Sequence, residues 1–328
     1  MKVYHPDSIE KFIVGGVKVS AQQQRKAFDK VEEIEYTTDF TLDYDILHLN
    51  FLGLLAVPLV FMSKLMGKKV VVHAHSTGDN LENTLIFSRI WGPIGKRYYQ
   101  YIFRKSDQVI AVSDYSKELL EERDVGDVIT LSNGVDDELL QGYGEIEPSE
   151  KYRNDEITVV NLAQLFELKG IDTFLEVGES MPETEFIWFG PRHEKLNPSE
   201  TIKKLDGSPN NIHFPGFVDD KREAFATGDI FLFPSREETQ GISVLEASYC
   251  EMPIIVRDIE AFEGWLEHGE NCLKAETTQE FEEYVKKLMG DEDLRDKLSK
   301  NAREMAEKHT LKEIAKNLRN VYREVLAD

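Results

Sequence analysis

Cysteine is scarce in this sequence: Cys250 and Cys272 are the two in 328 residues. Two thiols cannot build a disulfide framework, and neither has a partner at metal-ligand spacing. A reducing cytoplasm is therefore the expected compartment, and small core residues are their expected role. A long apolar run is also missing. The most apolar stretch, residues 51–62, contains Pro58 and falls well short of the roughly 20 residues that cross a bilayer. The N-terminus, MKVYHPDSIEKF, intersperses acids and does not read as a signal peptide. Positive charge is short as well. A net charge of −22 argues against generic nucleic-acid binding, which rests on Lys and Arg neutralising phosphates, and fits high solubility.

What the sequence does hold is alternation. Charged residues at 30% and hydrophobic ones at 41% are a globular balance. A chain of 328 residues exceeds one domain and suggests two of roughly 150 residues. In the first half, short β-branched runs begin at Val3 and continue with DILHLN, KKVVVHAHST, DQVIAVS and DVITLSNGVD. Helical patterns over residues 20–31 and 52–66 and a long aromatic and basic region separate them. The second half repeats this with ITVVNLAQ, TEFIWFG, NIHFPGF, DIFLFPS and MPIIVRD, then helices from Thr278 to the end. Strands separated by helices of this length imply parallel βαβ units. The predicted fold class is α/β, with two doubly wound, Rossmann-like parallel-sheet domains facing a cleft. Residues 1–147 and 148–310 are the expected domains, 142–156 the linker, and 311–328 a C-terminal helix packing back on the first domain. Such sheets bind ligands beyond the C-terminal ends of their strands, which selects the loops after VVVHAHS, ITVVNLAQ, TEFIWFG and FLFPS.

Residues 231–258, FLFPSREETQGISVLEASYCEMPIIVRD, concentrate the chemistry. An apolar strand leaves through Pro234 and Ser235, a polar turn carries Glu238, and a helix opening at Gly241 carries Glu246. Amides of Gly241 and Ile242 at that helix N-terminus would face an anion. Carboxylates beside them suit hydroxyls, and hydroxyls with phosphate describe a nucleotide sugar. Ordinary capping, worth about 0.3–1 kcal/mol, is the bland alternative for Glu237 and Glu238. Glu246 resists it, because it stands in the apolar or small run of residues 242–250, where an unpaired carboxylate is costly.

The segment PSREETQGISVLEASYCEMPII resembles the E-x7-E motif of the retaining glycosyltransferases of family 4, which have the two-domain GT-B fold. NGVD at residues 133–136 and the pair Lys169 and Gly170 are similar to further motifs of that family. More narrowly, EETQGISVLEA, TEFIWFG, DILHLN and VVVHAHST resemble the branch that glucosylates membrane diacylglycerol. The resemblance implies an acceptor-binding N-terminal domain and a nucleotide-sugar-binding C-terminal one. It implies Glu238 on hydroxyls of the donor sugar, Glu246 on the ribose hydroxyls, and Lys169 on the diphosphate, helped by amides at Gly241 and Ile242 and by the Gly15 and Gly16 loop. The reaction it implies retains the anomeric configuration, with attack on the face of departure and the leaving phosphate oxygen taking the acceptor proton. The nucleotide sugar is then a co-substrate, and no metal or other cofactor is expected. Gln164 stands where many members have arginine, which leaves the phosphates to Lys169 and another base such as Arg192. His75 matches a family histidine that contacts the transferred sugar. His73 shares its side of the strand; a metal site with His48 is one competing reading, and a packed strand histidine is another. Asp43 and Asp45 make a DxD, but before their strand, at the wrong edge of the sheet.

The acceptor is sought in residues 88–105, SRIWGPIGKRYYQYIFRK, with five basic residues and no acid. Arg89, Trp91, Lys96, Arg97, Tyr98, Arg104 and Lys105 are the candidate contacts to an anionic membrane surface holding a lipid acceptor. Lys64, Lys68 and Lys69, after the apolar run, join them. The expected place of such an enzyme is the cytoplasm, peripheral on the inner face of the cell membrane. A core-packing helix with exposed bases is the other reading of this stretch. A soluble or polysaccharide acceptor, a nucleotide-sugar epimerase of the same fold, and a non-catalytic carbohydrate-binding or partner-binding protein are the remaining classes.

Overall fold

The computed structural model describes residues 1–7, 15–76, 88–149, 152, 157–192 and 197–328, with the backbone alone for 88–94. It divides into two units, one of residues 1–134 with 309–328 and one of residues 135–308. Each holds a parallel six-stranded sheet among the described residues.

In the first unit β1 (Lys2–Tyr4), β2 (Glu35–Thr37), β3 (Ile46–Leu49), β4 (Lys69–Ala74), β5 (Gln108–Ala111) and β6 (Val128–Thr130) lie in the order β2-β1-β3-β4-β5-β6. Ile46 and Leu47 of β3 and Val70, Val71 and Val72 of β4 are fully buried. A parallel strand covered on both faces is apolar throughout rather than alternating. The chain steps to either side of β1, so the topological switch lies between β1 and β3. The helix expected at residues 20–31 begins earlier, as Gly16–Phe28, and that at 52–66 is shorter, Ala56–Leu65. The helix Leu311–Ala327 is part of this unit, with Leu318 and Tyr322 buried in one cluster with Val3, Phe28, Ile46 and Val71. Gly134 admits it, since a Cβ there would meet Leu311 Cδ2 at 2.7 Å.

In the second unit β7 (Thr158–Leu162), β8 (Glu185–Phe189), β9 (Ile212–Gly216), β10 (Ile230–Phe233), β11 (Ile254–Arg257) and β12 (Leu273–Ala275) lie in the order β12-β11-β10-β7-β8-β9. That is the dinucleotide-binding order, with its switch point between β7 and β10. Successive residues feed opposite faces, as a strand requires: Val160, Ile187 and Phe231 enter one core cluster, and Val159, Trp188 and Leu232 the other. The Trp188 indole donates to the Ala163 carbonyl at 2.8 Å, which leaves no buried N–H unpaired on the largest core side chain.

The division falls after Gly134 rather than at residue 147, because Val135 and Leu140 are already buried in the second unit's core. Nor do residues 142–156 run as a free linker where they are described. Tyr143 and Tyr152 pack on that same core, and the Ser149 amide donates to Thr227 Oγ1 at 3.0 Å.

Candidate active site

The loops that follow β7 and β10 flank the second unit's switch point. After β7 the chain passes Gln164, turns at Glu167–Lys169, and enters the helix Ile171–Ser180 through Gly170. Gly170 has a φ of +80°, and a Cβ on it would stand 2.2 Å from the Pro234 carbonyl oxygen. On the other flank Gly190, at φ +142°, presses on Ala163, whose carbonyl oxygen is 1.8 Å from the point its Cβ would take. Only glycine fits either position. Hydrogen bonds seal the first approach: the Arg236 amide donates to the Leu168 carbonyl at 2.8 Å, and its guanidinium donates to that of Glu167 at 3.1 Å. The result is Lys169 Nζ at 2.5 Å from Glu238 Oε1, with the ammonium 6.0 Å from the centre of the Phe233 ring.

Gly241, at φ +84°, opens the helix Ile242–Tyr249 without a side-chain cap and without an acid in the first turn. Leading amides with no capping side chain suit an anion. Glu246 lies one turn further on. It is 3% exposed, and its charge is met by Lys221, whose Nζ is 2.5 Å from Oε1. The sequence singles out Glu246 but not Lys221. The one available signal is Asp220, which caps the short helix Lys221–Thr227 by accepting from the Arg222 amide at 3.0 Å. Arg192, the base sought to compensate for Gln164, has its guanidinium 2.8 Å from Asp206.

In the first unit His75 follows β4 and joins His5, His48 and His73. The His73 and His75 rings stack with centres 4.7 Å apart and 5° between planes, and His48 stacks on His73 at 5.8 Å and 15°. A chain of amides holds them: His75 Nε2 donates to Asn50 Oδ1 at 2.7 Å, Asn50 Nδ2 to Gln24 Oε1 at 2.8 Å, and Gln24 Nε2 to His73 Nδ1 at 2.7 Å. The Tyr322 hydroxyl hydrogen-bonds His48 Nδ1. Stacked rings are not a coordination shell, and among the described residues no three His, Cys, Asp or Glu gather so as to hold a metal ion. Asp43 and Asp45 clasp β1: Asp43 pairs with Lys2 Nζ at 2.5 Å, and Asp45 accepts from the Lys2 amide at 2.8 Å. Gly15 and Gly16 start the helix Gly16–Phe28; residues 8–14 of their loop lie outside the described residues.

On the expected acceptor helix, Ser88–Lys105, the side chains of Arg89 and Trp91 lie outside the described residues. Arg97, Tyr101, Arg104 and Lys105 are exposed and Lys96 is partly so. Tyr98 is half-buried. The 3.6-residue period turns positions 98, 99, 102 and 103 to one face, so Ile102 and Phe103 are core residues, Tyr98 and Tyr99 pack beside them, and the Tyr98 hydroxyl donates to the Gly53 carbonyl. The apolar surface lies on Ala56–Leu65 instead. This helix buries Ala56, Val60 and Ser63, whose hydroxyl bonds Tyr44 Oη at 2.7 Å, and turns outward Phe61 and Leu65, 61% and 73% exposed, while Leu54 in the turn before it is 91% exposed. Among the described residues no helix is long and apolar enough to cross a membrane.

Residues 26–139 match the family model described as Glycosyltransferase Family 4, and residues 144–305 match Glycosyl transferases group 1. The chain is 31% identical over 327 residues to a processive diacylglycerol alpha-glucosyltransferase of Acholeplasma laidlawii, with 95% of this chain and 94% of that one covered. It is 26% identical over 297 residues to an alpha-galactosylglucosyldiacylglycerol synthase of Streptococcus pneumoniae, with 85% and 78% covered. Among solved structures, HepE of Anabaena in complex with UDP-glucose matches with a TM-score of 0.80 at 18% identity over 99% of this chain and 100% of that one.

Burial holds all four imidazoles below their ordinary value of 6.5. His5, also beside the Arg25 guanidinium, is lowered to about 4, and His75, also facing His5, to about 3; His48 and His73, each repelled by neighbouring imidazoles as well, lie well below it. The unfolded chain therefore takes up these protons at a higher pH than the folded one. Stability held by the neutral cluster is complete above 6.5 and is lost as the pH falls from there towards about 4. The urea midpoint is expected to drop between about pH 7 and about pH 5, and less so in His73→Gln. An equal drop in both proteins would place the proton uptake elsewhere.

Proposed function

This chain belongs to the family 4, group 1 glycosyltransferases, and on that premise we propose that it moves glucose from a uridine diphosphate sugar to the hydroxyl of a diacylglycerol-type lipid, with retention at the anomeric carbon. The observation that carries the donor half is the meeting of Lys169 with Glu238 beside the uncapped N-terminus of Ile242–Tyr249. Glu238 accepts hydrogen bonds from sugar hydroxyls, Glu246 from those of the ribose, and Lys169 with the amides of Gly241 and Ile242 neutralises the diphosphate. Negative charge grows on that diphosphate as the bond to the anomeric carbon breaks. Stabilising it is the main catalytic demand. The new bond forms between the anomeric carbon and the acceptor oxygen on the face of departure, and the acceptor proton passes to the leaving phosphate oxygen. An α-linked donor and the α product in the Acholeplasma laidlawii relative's name support retention.

The lipid acceptor is supported by the two diacylglycerol-modifying relatives and by the outward-turned Phe61 and Leu65 with Leu54 exposed just before their helix. Helix faces that are apolar towards solvent sit at the headgroup boundary of a bilayer, and nearby Lys and Arg meet anionic lipid. On this reading the protein is peripheral to the cytoplasmic leaflet.

Glu238→Gln and Lys169→Ala are each expected to stay folded and to lose about 10²–10³-fold in turnover, read by mass detection of glycolipid; near-normal rates in both would sink the donor assignment. Phe61→Ser with Leu65→Ser, and separately Lys96, Arg97, Arg104 and Lys105 all to Gln, are expected to reduce cosedimentation with phosphatidylglycerol vesicles. Undiminished binding of both sets would remove the membrane from the reading. Because Lys169 and helix amides supply the counter-charge, the enzyme is expected to keep its rate after dialysis against EDTA, and a loss restored by a divalent ion would show a metal requirement.

A further inference from the structure

We propose that Lys221 is a positioning residue of the donor site, which orients the Glu246 carboxylate towards a ribose hydroxyl and so makes the enzyme selective for ribonucleotides. The inference rests on the nucleotide-sugar reading above. Its first ground is geometry. Lys221 Nζ lies 2.5 Å from Glu246 Oε1, and the side chains are 21% and 4% exposed. A carboxylate so enclosed, between the fully buried Leu245 and Ala247, needs a cation within hydrogen-bonding distance. Charge placement supplies the second ground. Lys221 opens the helix Lys221–Thr227, and a cation in a first turn is opposed by the helix dipole. It stands there against local preference, and Glu246 is the anion that offsets this.

The surrounding elements also suit that role. Ile242 and Glu246 lie on one face of the helix, about 6 Å apart along the axis, so the carboxylate that Lys221 holds shares that face with the helix's leading residue. Asp220 fixes the lysine's own helix from its N-terminus, and buried Ala224 and Phe225 fix it from its packed face. Gln164 carries no charge, and Arg192 is engaged by Asp206. Lys169 and Lys221 are the two lysines that answer the glutamates of the motif.

Calorimetric titration of wild type, Lys221→Met and Lys221→Arg with UDP and with 2′-deoxy-UDP tests this. Lys221→Met is expected to weaken UDP about tenfold while leaving 2′-deoxy-UDP nearly unchanged, so the preference for the ribonucleotide collapses; Lys221→Arg restores most of it. The donor KM should rise with kcat held within about twofold. If Lys221→Met unfolds, the double variant Lys221→Met with Glu246→Gln removes the unpaired charge and should bind UDP as Glu246→Gln alone does. Unchanged UDP affinity, or equal loss for both nucleotides, overturns the proposal. A wild-type protein that binds no UDP overturns the donor reading itself and this inference with it.

Discussion

The loop after β7 is held backbone against backbone on both flanks, by Pro234 at Gly170 and by Ala163 at Gly190, closer than any side chain allows. The meeting of Lys169 with Glu238 follows from that constraint. It fixes where Lys169 emerges, and so which carboxylate the lysine meets. It also ties β7 to β10 across the one gap in the sheet where successive crossovers run in opposite directions, leaving space above the strand ends. The two Lys–Glu pairs are an electrostatic corollary. On the proposed donor reading two carboxylates beside a diphosphate would repel it, and pairing each with an ammonium offsets that repulsion.

Much of this is legible in the sequence, and for one reason: strands buried on both faces read as unbroken β-branched and aromatic runs, as in KKVVVHAHST and TEFIWFG. Elements without that signature escape notice. β2 is three residues with partly exposed side chains, β12 carries a lysine at its centre, and Lys221–Thr227 is too short for periodicity. Glu246 stands out because a carboxylate in an apolar run demands an explanation. Its partner does not, since a lysine after Asp220 looks like any solvated base until the fold brings it across. The same holds for Gln24, Asn50 and Tyr322, which are distant in sequence and meet the histidines only in space. In residues 88–105 the sequence leaves direction open. Basic and aromatic residues interleave there, but interleaving carries no direction, and the helical period sends Tyr98 inward with Ile102 and Phe103.

Ala56–Leu65 inverts the usual order of a surface helix, with a serine inside and leucine and phenylalanine outside. Such a helix gains nothing from water on its outer face. Ser63 is tolerated inside because Tyr44 and the Leu59 carbonyl satisfy its hydroxyl. The polar interior position therefore does not argue that the helix is misplaced; it locks the rotation that keeps Phe61 and Leu65 turned outward.

The first unit is built from both ends of the chain, with residues 309–328 completing what residues 1–134 begin. On a ribosome the second unit, contiguous in sequence, is finished while the first still lacks Leu318 and Tyr322, the side chains that cover Val3, Ile46 and Val71. From Gly134, where the first stretch of that unit ends, to the helix that completes it, synthesis at about 5–20 residues per second takes roughly 10–40 s. For that time an apolar sheet face is open to other chains, and the domain that starts to form first is the last to close.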